Sequence, residues 1–368
     1  MPLVPPYIAQ LEPYKPGKPI SEVQREFGLT TVIKLASNEN PLGPSPRALA
    51  EMQKVFSRLH IYPEGGRELR EVLSEKFHLN VGNVIAGSGS ESIMANIIRT
   101  FLCDEDEMLT TEAPFIGFRV LAQSRGVKTT YVPYKNYRYD LQEIARRINE
   151  HTKIIYLANP NNPTGTIFTK SEFDEFMKHV PFRVLIIHDE AYFEYAQDNP
   201  EYPDSMHYRY DNVITLRTFS KCYGLAGIRV GYGFAHDELI TNLLKVKLPF
   251  EPSVLAVAAG IGALSDTEFL EETLAMNKRG LVFLTSSLLE MGLKVIPSHA
   301  NFVMLEFANE NAATKFYVKL LREGIIVRPL KAFGLSNCVR ITVGTDSENA
   351  QLVDAVEKIY SKEEVLQI

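Results

Sequence analysis

A lysine that follows directly on an apolar strand, among small and hydroxyl-bearing residues, can do chemistry that a surface lysine cannot. The segment Thr218-Phe219-Ser220-Lys221-Cys222-Tyr223-Gly224 puts Lys221 in that setting, just after the run Val213–Arg217. In open α/β sheets ligands bind beyond the carboxyl ends of the strands. A lysine held there, with its pKa lowered, forms a Schiff base with an aldehyde. The ordinary alternative is a solvated surface charge, the usual state of a lysine. A second segment, His188-Asp189-Glu190-Ala191-Tyr192, also ends an apolar strand. Asp189 there is either a helix cap or a buried anion that pairs with a heterocyclic cation, and Tyr192 can aim a phenol at the same place. A third, Asn159-Pro160-Asn161-Asn162-Pro163-Thr164-Gly165, is turn chemistry. It reads as a plain strand-to-helix loop or as a rigid mount for the Asn162 amide. The fourth, Gly87-Ser88-Gly89-Ser90-Glu91-Ser92, lies between a strand and a helix. Free N–H groups at such a helix start bind phosphate. As a dinucleotide fingerprint it fails, because Ser92 stands where the third glycine belongs.

These segments need a sheet to bring them together, and the sequence supplies one. Short apolar runs, Asn83–Ala86, Glu107–Thr111, Thr129–Val132, Ile154–Ala158, Val184–His188, Val213–Arg217 and Val230–Phe234, are expected strands. Amphipathic stretches at Glu68–Phe77, Ser90–Phe101, Phe115–Arg125, Leu141–Asn149, Lys170–His179 and Asp237–Lys245 are expected helices. Runs such as Val-Leu-Ile-Ile-His are apolar on both faces, which suits a parallel sheet covered by helices. Strand–helix alternation argues an α/β fold. After about residue 265 the texture changes: a long helical pattern over Asp266–Met291, then a few strands, a helix near Ala312–Glu323 and a last one near Ser347–Tyr360. The proline-rich start, with a short helix near Ser21–Phe27, reads as a frayed tail or as an arm packed on the body.

Composition narrows the function classes. The 368 residues are 45% apolar and 23% charged, enough to bury a core. A formal net charge of -6 disfavours tracking a nucleic-acid backbone. Three scattered cysteines, Cys103, Cys222 and Cys338, offer neither a disulfide framework nor zinc-ligand spacing, so no metal is expected. The longest apolar run, Val254–Leu264, is far too short for a membrane span, and the start lacks a signal-peptide core. A soluble, cytoplasmic protein is the expectation.

Taken together, NPNNPTG, then DEAY, then TFSKCYGLAGIRVGY resemble the fold-type I pyridoxal-phosphate aminotransferases in order and rough spacing. Asn162 and Asp189 are 27 residues apart, and Asp189 and Lys221 are 32 apart. The resemblance runs from LASNENPLGPSP to VRITVG. With YPEGG at Tyr62 and that tail, it is most similar to the branch acting on histidinol phosphate. It implies a large domain over residues 45–265 with a mostly parallel central sheet. A smaller α+β domain over 266–368 is completed by the arm, residues 1–44.

The resemblance also implies roles. Lys221 holds pyridoxal 5'-phosphate and shuttles the proton of the substrate Cα. Asp189 pairs with the pyridine nitrogen, and Asn162 and Tyr192 bond the 3'-oxygen. Phe115 stacks on the ring, where many relatives carry tyrosine. Ser90, Glu91, Ser220 and Arg229 hold the phosphate, and Thr218 stands behind them. Tyr62 reaches the phosphate of a partner subunit, so a homodimer with shared sites is expected. Tyr14, Asn40, Arg328 and Arg340 meet the substrate, although Arg328 also reads as an ordinary surface ion pair. The implied reaction moves an amino group between L-histidinol phosphate and 2-oxoglutarate, giving imidazole-acetol phosphate and glutamate. An aromatic amino-acid aminotransferase is the nearest enzymatic alternative, and a non-catalytic sensing module on the same fold is the non-enzymatic one.

Overall fold

The computed structural model describes residues 3–12, 17–208 and 210–364. Among these, the largest sheet has seven strands. Their order is Val84–Gly87, Gly231–Phe234, Val213–Thr218, Leu185–Asp189, Thr152–Ala158, Glu107–Thr111 and Lys128–Val132. The last five of these run parallel, while Gly231–Phe234 is antiparallel to both its neighbours. Leu185–Asp189 is buried at every position because its alternate side chains enter two different cores. Ile187 joins Tyr156, Phe118 and Ile97 on one face, and Ile186 joins Ile155, Phe173 and Phe176 on the other. That two-sided burial is why the strand sequences carry no polar alternation.

A second, antiparallel sheet runs Arg328–Pro329, Cys338–Thr342, Phe302–Glu306, Lys294–Ile296. The helices Thr267–Glu290, Glu310–Arg322 and Asp346–Glu364 pack on it through Leu284, Leu288, Phe316, Leu320 and Val356. The N-terminal segment joins this layer: Ile33–Lys34 pairs in parallel with Ile325–Ile326. Leu35 and Thr342 are tied by a backbone bond of 2.9 Å.

The expected strands and helices of the seven-stranded layer are present, with ends shifted by a few residues. Among the described residues, two helices of ten residues or more have no counterpart in the expected set. Pro46–Val55 is capped by Ser45, whose Oγ accepts from the Ala48 N–H at 3.2 Å. Val254–Leu264, recognised from sequence only as an apolar run, is a helix capped by Ser253 and buried on most of its surface. Its lack of a polar face hides the helical period. The helix expected over Leu141–Asn149 stops at Arg146, because the Asn149 side chain accepts from the N–H groups of His151 and Thr152 and makes a turn there. Of the arm, Pro6–Ala9 is a short helix, and Tyr7 lies against Gly126, where an added Cβ would be 2.6 Å from its ring. The stretch touches the body at Tyr7, although none of the helix's residues is buried.

Among the described residues no helix is long and apolar enough to cross a membrane, and no cluster of His, Cys, Asp and Glu can hold a metal.

Candidate active site

The chemistry-bearing residues converge because each follows the carboxyl end of a parallel strand. Ala158, Asp189 and Thr218 are the last residues of three adjacent strands. Beyond them lies a cavity of about 150 Å³. Of the expected site residues, Ser90, Glu91, Phe115, Asn162, Asp189, Tyr192, Thr218, Ser220, Lys221 and Arg229 line it.

One end of the cavity is built for an anion. The helix Ser90–Phe101 starts there, and its Gly89 N-cap has no side chain to satisfy the first N–H groups. Arg229 has a φ of 61°, uncommon for a residue with a side chain. Its guanidinium donates to Ser220 Oγ at 3.4 Å and to the Ala226 carbonyl at 3.2 Å. Gly89 makes room for that guanidinium: a Cβ there would lie 2.6 Å from Arg229 Nη2. A helix start, a hydroxyl and a fixed cation together suit a phosphate.

The other end presents a carboxylate. Asp189 Oδ1 accepts from the Ala191 N–H at 3.2 Å, and Oδ2 accepts from the Tyr156 hydroxyl at 2.7 Å. Burial pushes the Asp189 carboxyl up to about 6, against the downward pull of those two donors. A cation seated beside it restores the charge that burial penalises. Tyr156 itself is held flat against Phe118, with ring centroids 4.0 Å apart. Tyr156→Phe removes a donor from Asp189, raises its pKa further, and is expected to weaken binding of a cationic heterocycle at neutral pH by about tenfold. Equilibrium titration with the cofactor over pH 5 to 8 checks this, and the loss should be steeper on the acid side.

Lys221 lines the same cavity. Burial pushes its ammonium down to about 8; the nearby Arg340 and Arg229 push the same way, while Glu39 and Asp189 oppose them. Its Nζ donates to the Ser37 carbonyl at 3.3 Å and lies 5.8 Å from the centre of the Tyr192 ring. A lysine so lowered has an appreciable fraction of free amine at neutral pH, as a carbonyl-directed nucleophile needs.

The arginines come from the second sheet. Arg328 and Arg340 are cross-strand partners, only 8% and 5% exposed. This burial overturns the surface ion-pair reading of Arg328. Arg340 donates to Asn162 Oδ1 at 2.5 Å and to the Ala36 carbonyl at 2.9 Å. The Asn162 Nδ2 is thereby the end left to an oxygen in the cavity. Neither arginine lines the cavity itself, and Arg340 reaches it through Asn162.

Two expected residues are placed otherwise. The Asn40 amide donates to the Cys222 carbonyl at 2.8 Å and to Thr273 at 3.1 Å, and its oxygen accepts from the Leu42 N–H. With those bonds it braces the loop that carries Lys221 and does not face the cavity. Tyr62 is 74% exposed and stacks on Phe250 with centroids 4.1 Å apart, away from this chain's own cavity. Tyr14 lies outside the described residues. Conversely, Tyr156 and Asn38 were missed. Tyr156 looked like an ordinary strand residue, and only the period-2 alternation with Asp189 on the next strand could have pointed to it. Asn38 stands in SNENPLG beside the residue that was chosen there.

A larger groove, of about 750 Å³, lies between the helices Leu141–Arg146 and Lys170–Met177. It is lined by surface charges, such as the Arg138–Glu172 ion pair, and contains none of these groups.

Comparison with known proteins agrees with this geometry. Residues 30–356 match the family model described as aminotransferase class I and II. The histidinol-phosphate aminotransferase of Anaeromyxobacter sp. (strain Fw109-5) is 42% identical over 98% of this chain and 99% of its own length. That of Caldicellulosiruptor saccharolyticus is 41% identical over 96% and 98%. The solved histidinol-phosphate aminotransferase from Sinorhizobium meliloti, in complex with pyridoxal-5'-phosphate, superposes with a TM-score of 0.87 at 26% identity, covering 98% of both chains. With a lysine, a carboxylate and an anion cradle facing one cavity and a family match over most of its length, the chain belongs to the class I and II aminotransferases.

Proposed function

We propose that this protein transfers the amino group of L-histidinol phosphate to 2-oxoglutarate, with pyridoxal 5'-phosphate as its resident cofactor. The observation that carries the reading is one cavity lined by Asp189, by the Ser90–Ser220–Arg229 cradle and by Lys221. That set of cation-seeking, nucleophilic and anion-binding groups fits a phosphorylated pyridine aldehyde. When bound, the cofactor supplies the carbonyl that takes up the amino group and a cationic ring that draws electrons from the substrate Cα–H bond.

The rest is the work of the chain. Lys221 Nζ holds the cofactor and then moves the proton of the substrate Cα. Asp189 keeps the ring-nitrogen proton in place. Asn162 Nδ2 and the Tyr192 hydroxyl would bond the cofactor's 3'-oxygen, and Phe115 would cover the ring face. Arg340 and Arg328 take the substrate anions, since a guanidinium fork suits carboxylate and phosphate alike. Amino donor and amino acceptor then use one pocket, because each carries a distal anion. The chain works as a homodimer in the cytoplasm: Phe56, Leu59, Ile61, Tyr62, Leu248 and Phe250 form an exposed apolar patch, and a second copy covering it brings Tyr62 to its neighbour's phosphate. Residues 45–265 act as the cofactor-binding domain, and the remainder as a smaller domain that supplies Arg328 and Arg340.

A single-turnover absorbance scan of the cofactor-loaded protein tests the substrate. Fast conversion by L-histidinol phosphate and slow conversion by L-phenylalanine is the expected result; the reverse moves the protein to the aromatic branch. Arg340→Ala should slow the histidinol phosphate half-reaction by about 10²-fold while cofactor affinity changes far less, and unchanged turnover would remove Arg340 from substrate binding.

A further inference from the structure

The Tyr192 hydroxyl touches a residue that no cofactor or substrate contact assigns. Asn38 Nδ2 donates to Tyr192 Oη at 2.8 Å, with both side chains buried. The direction of that bond is fixed by the rest of the Asn38 amide. Thr342 Oγ1 donates to Asn38 Oδ1 at 3.0 Å and itself accepts from the Asn38 N–H at 3.0 Å. The oxygen end of the amide is therefore held on Thr342, and the nitrogen end has to face the phenol. The Asn301 Nδ2 further donates to the Asn38 carbonyl at 3.1 Å. Asn38 thus sits on the antiparallel sheet, Thr342 ending one of its strands and Asn301 preceding another. Tyr192 belongs to the loop that follows the strand Leu185–Asp189 of the seven-stranded sheet.

We propose that Asn38 is a positioning residue: by occupying an acceptor site of the Tyr192 oxygen, it turns the phenolic proton into the cavity, and it does so only while the N-terminal segment is seated on the antiparallel sheet. A phenol oxygen that accepts one bond has its single proton left for a partner elsewhere. Tyr192 lines the cavity, so the partner is an acceptor within it. Burial pushes the Tyr192 phenol up; against it Arg340 and the donor from Asn38 favour negative charge on the oxygen, which strengthens the bond the hydroxyl then gives. Seating of residues 33–38 is in this way coupled to the electronic state of the site. A phenol free to rotate would spend part of its time donating to some other group.

The inference rests on Tyr192 bonding the cofactor, and the test separates the two. A donor on the cofactor's 3'-oxygen stabilises the form in which that oxygen bears the undivided negative charge, so losing the donor moves the pH titration of the visible absorbance band upward. Asn38→Gly deletes the amide and suits the φ of 56° at this position. It carries no charge, so a Coulombic shift does not intrude. Its midpoint should rise by about half to one pH unit in the cofactor-loaded enzyme. Thr342→Val, which leaves Asn38 in place but frees its amide to turn over, should move the midpoint the same way by less. In a Tyr192→Phe background, neither substitution should add a further shift. Thermal melts of the cofactor-free variants check that they fold. An unchanged midpoint in Asn38→Gly with a shifted one in Tyr192→Phe overturns the role of Asn38 alone. An equal Asn38→Gly shift in both backgrounds does so too, because the effect then bypasses the phenol. An unchanged midpoint in Tyr192→Phe overturns both this inference and the contact it rests on.

Discussion

Lys221→Arg keeps a cation at the centre of the cavity but removes the free amine, and its turnover is expected to fall by about 10⁴-fold or more. Two functions are lost together. An arginine is not deprotonated in proteins, so it can neither attack a carbonyl nor accept a proton from carbon. Charge and side-chain length change little, so the cradle around Arg229 and the Asp189 end should survive. The variant should therefore still bind the cofactor, reversibly, and lose it on dialysis where the parent retains it. Steady-state turnover and cofactor retention measured on the same preparation check this. A parent-like rate would remove Lys221 from the chemistry. The pH dependence supplies a second check on the parent protein. Because burial and the neighbouring arginines push the Lys221 ammonium down to about 8, cofactor capture by the apoprotein should speed up with rising pH and level off above about 8. A lysine in water would go on rising toward its ordinary value near 10.4.

Asp189→Asn is the second large effect. It keeps the size of the side chain and leaves an oxygen for the Tyr156 hydroxyl, so the fold should tolerate it. What it removes is the negative charge, in a place where burial makes charge count most. A neutral amide does not hold a proton on a pyridine nitrogen, and the ring then withdraws electrons less well. Turnover is expected to drop by about 10²–10³-fold, the range for losing one preorganised electrostatic contact, with KM affected much less. Rapid-mixing measurement of the first half-reaction separates this from slow cofactor binding. A loss confined to cofactor affinity would make Asp189 a docking group only.

Much of this was legible before any coordinates. Lys221, Asp189 and Asn162 were found because each stands just past an apolar run, and chain order then places all three at one edge of a parallel sheet. Arg229 and the Ser90 helix start were legible for the same local reason, a turn of small residues next to a strand. Tyr156 was not, since nothing local distinguishes a strand tyrosine that packs in the core from one whose hydroxyl holds the Asp189 carboxylate. Asn38 and Asn40 lie in one motif of the N-terminal segment, and nothing local tells their roles apart. The difference is which amide meets the Lys221 loop and which meets Tyr192, and partners more than 150 positions away decide it. Val254–Leu264 escaped as a helix because burial on nearly all sides erases the period by which helices are recognised.

By itself, then, the sequence determined the alternation of strands and helices, the residues with the right chemistry and the strand ends on which they stand. These follow from local rules: apolar runs, turn residues, and the direction of a parallel sheet. Only the tertiary structure decided which polar ends face the cavity. Arg340 claims the oxygen of Asn162 and Thr342 claims that of Asn38, so two amide nitrogens are turned to their work by residues at the far end of the chain. The pKa values of Lys221 and Asp189 were likewise set there, because desolvation and the field of distant charges belong to the packed protein and to no segment of it.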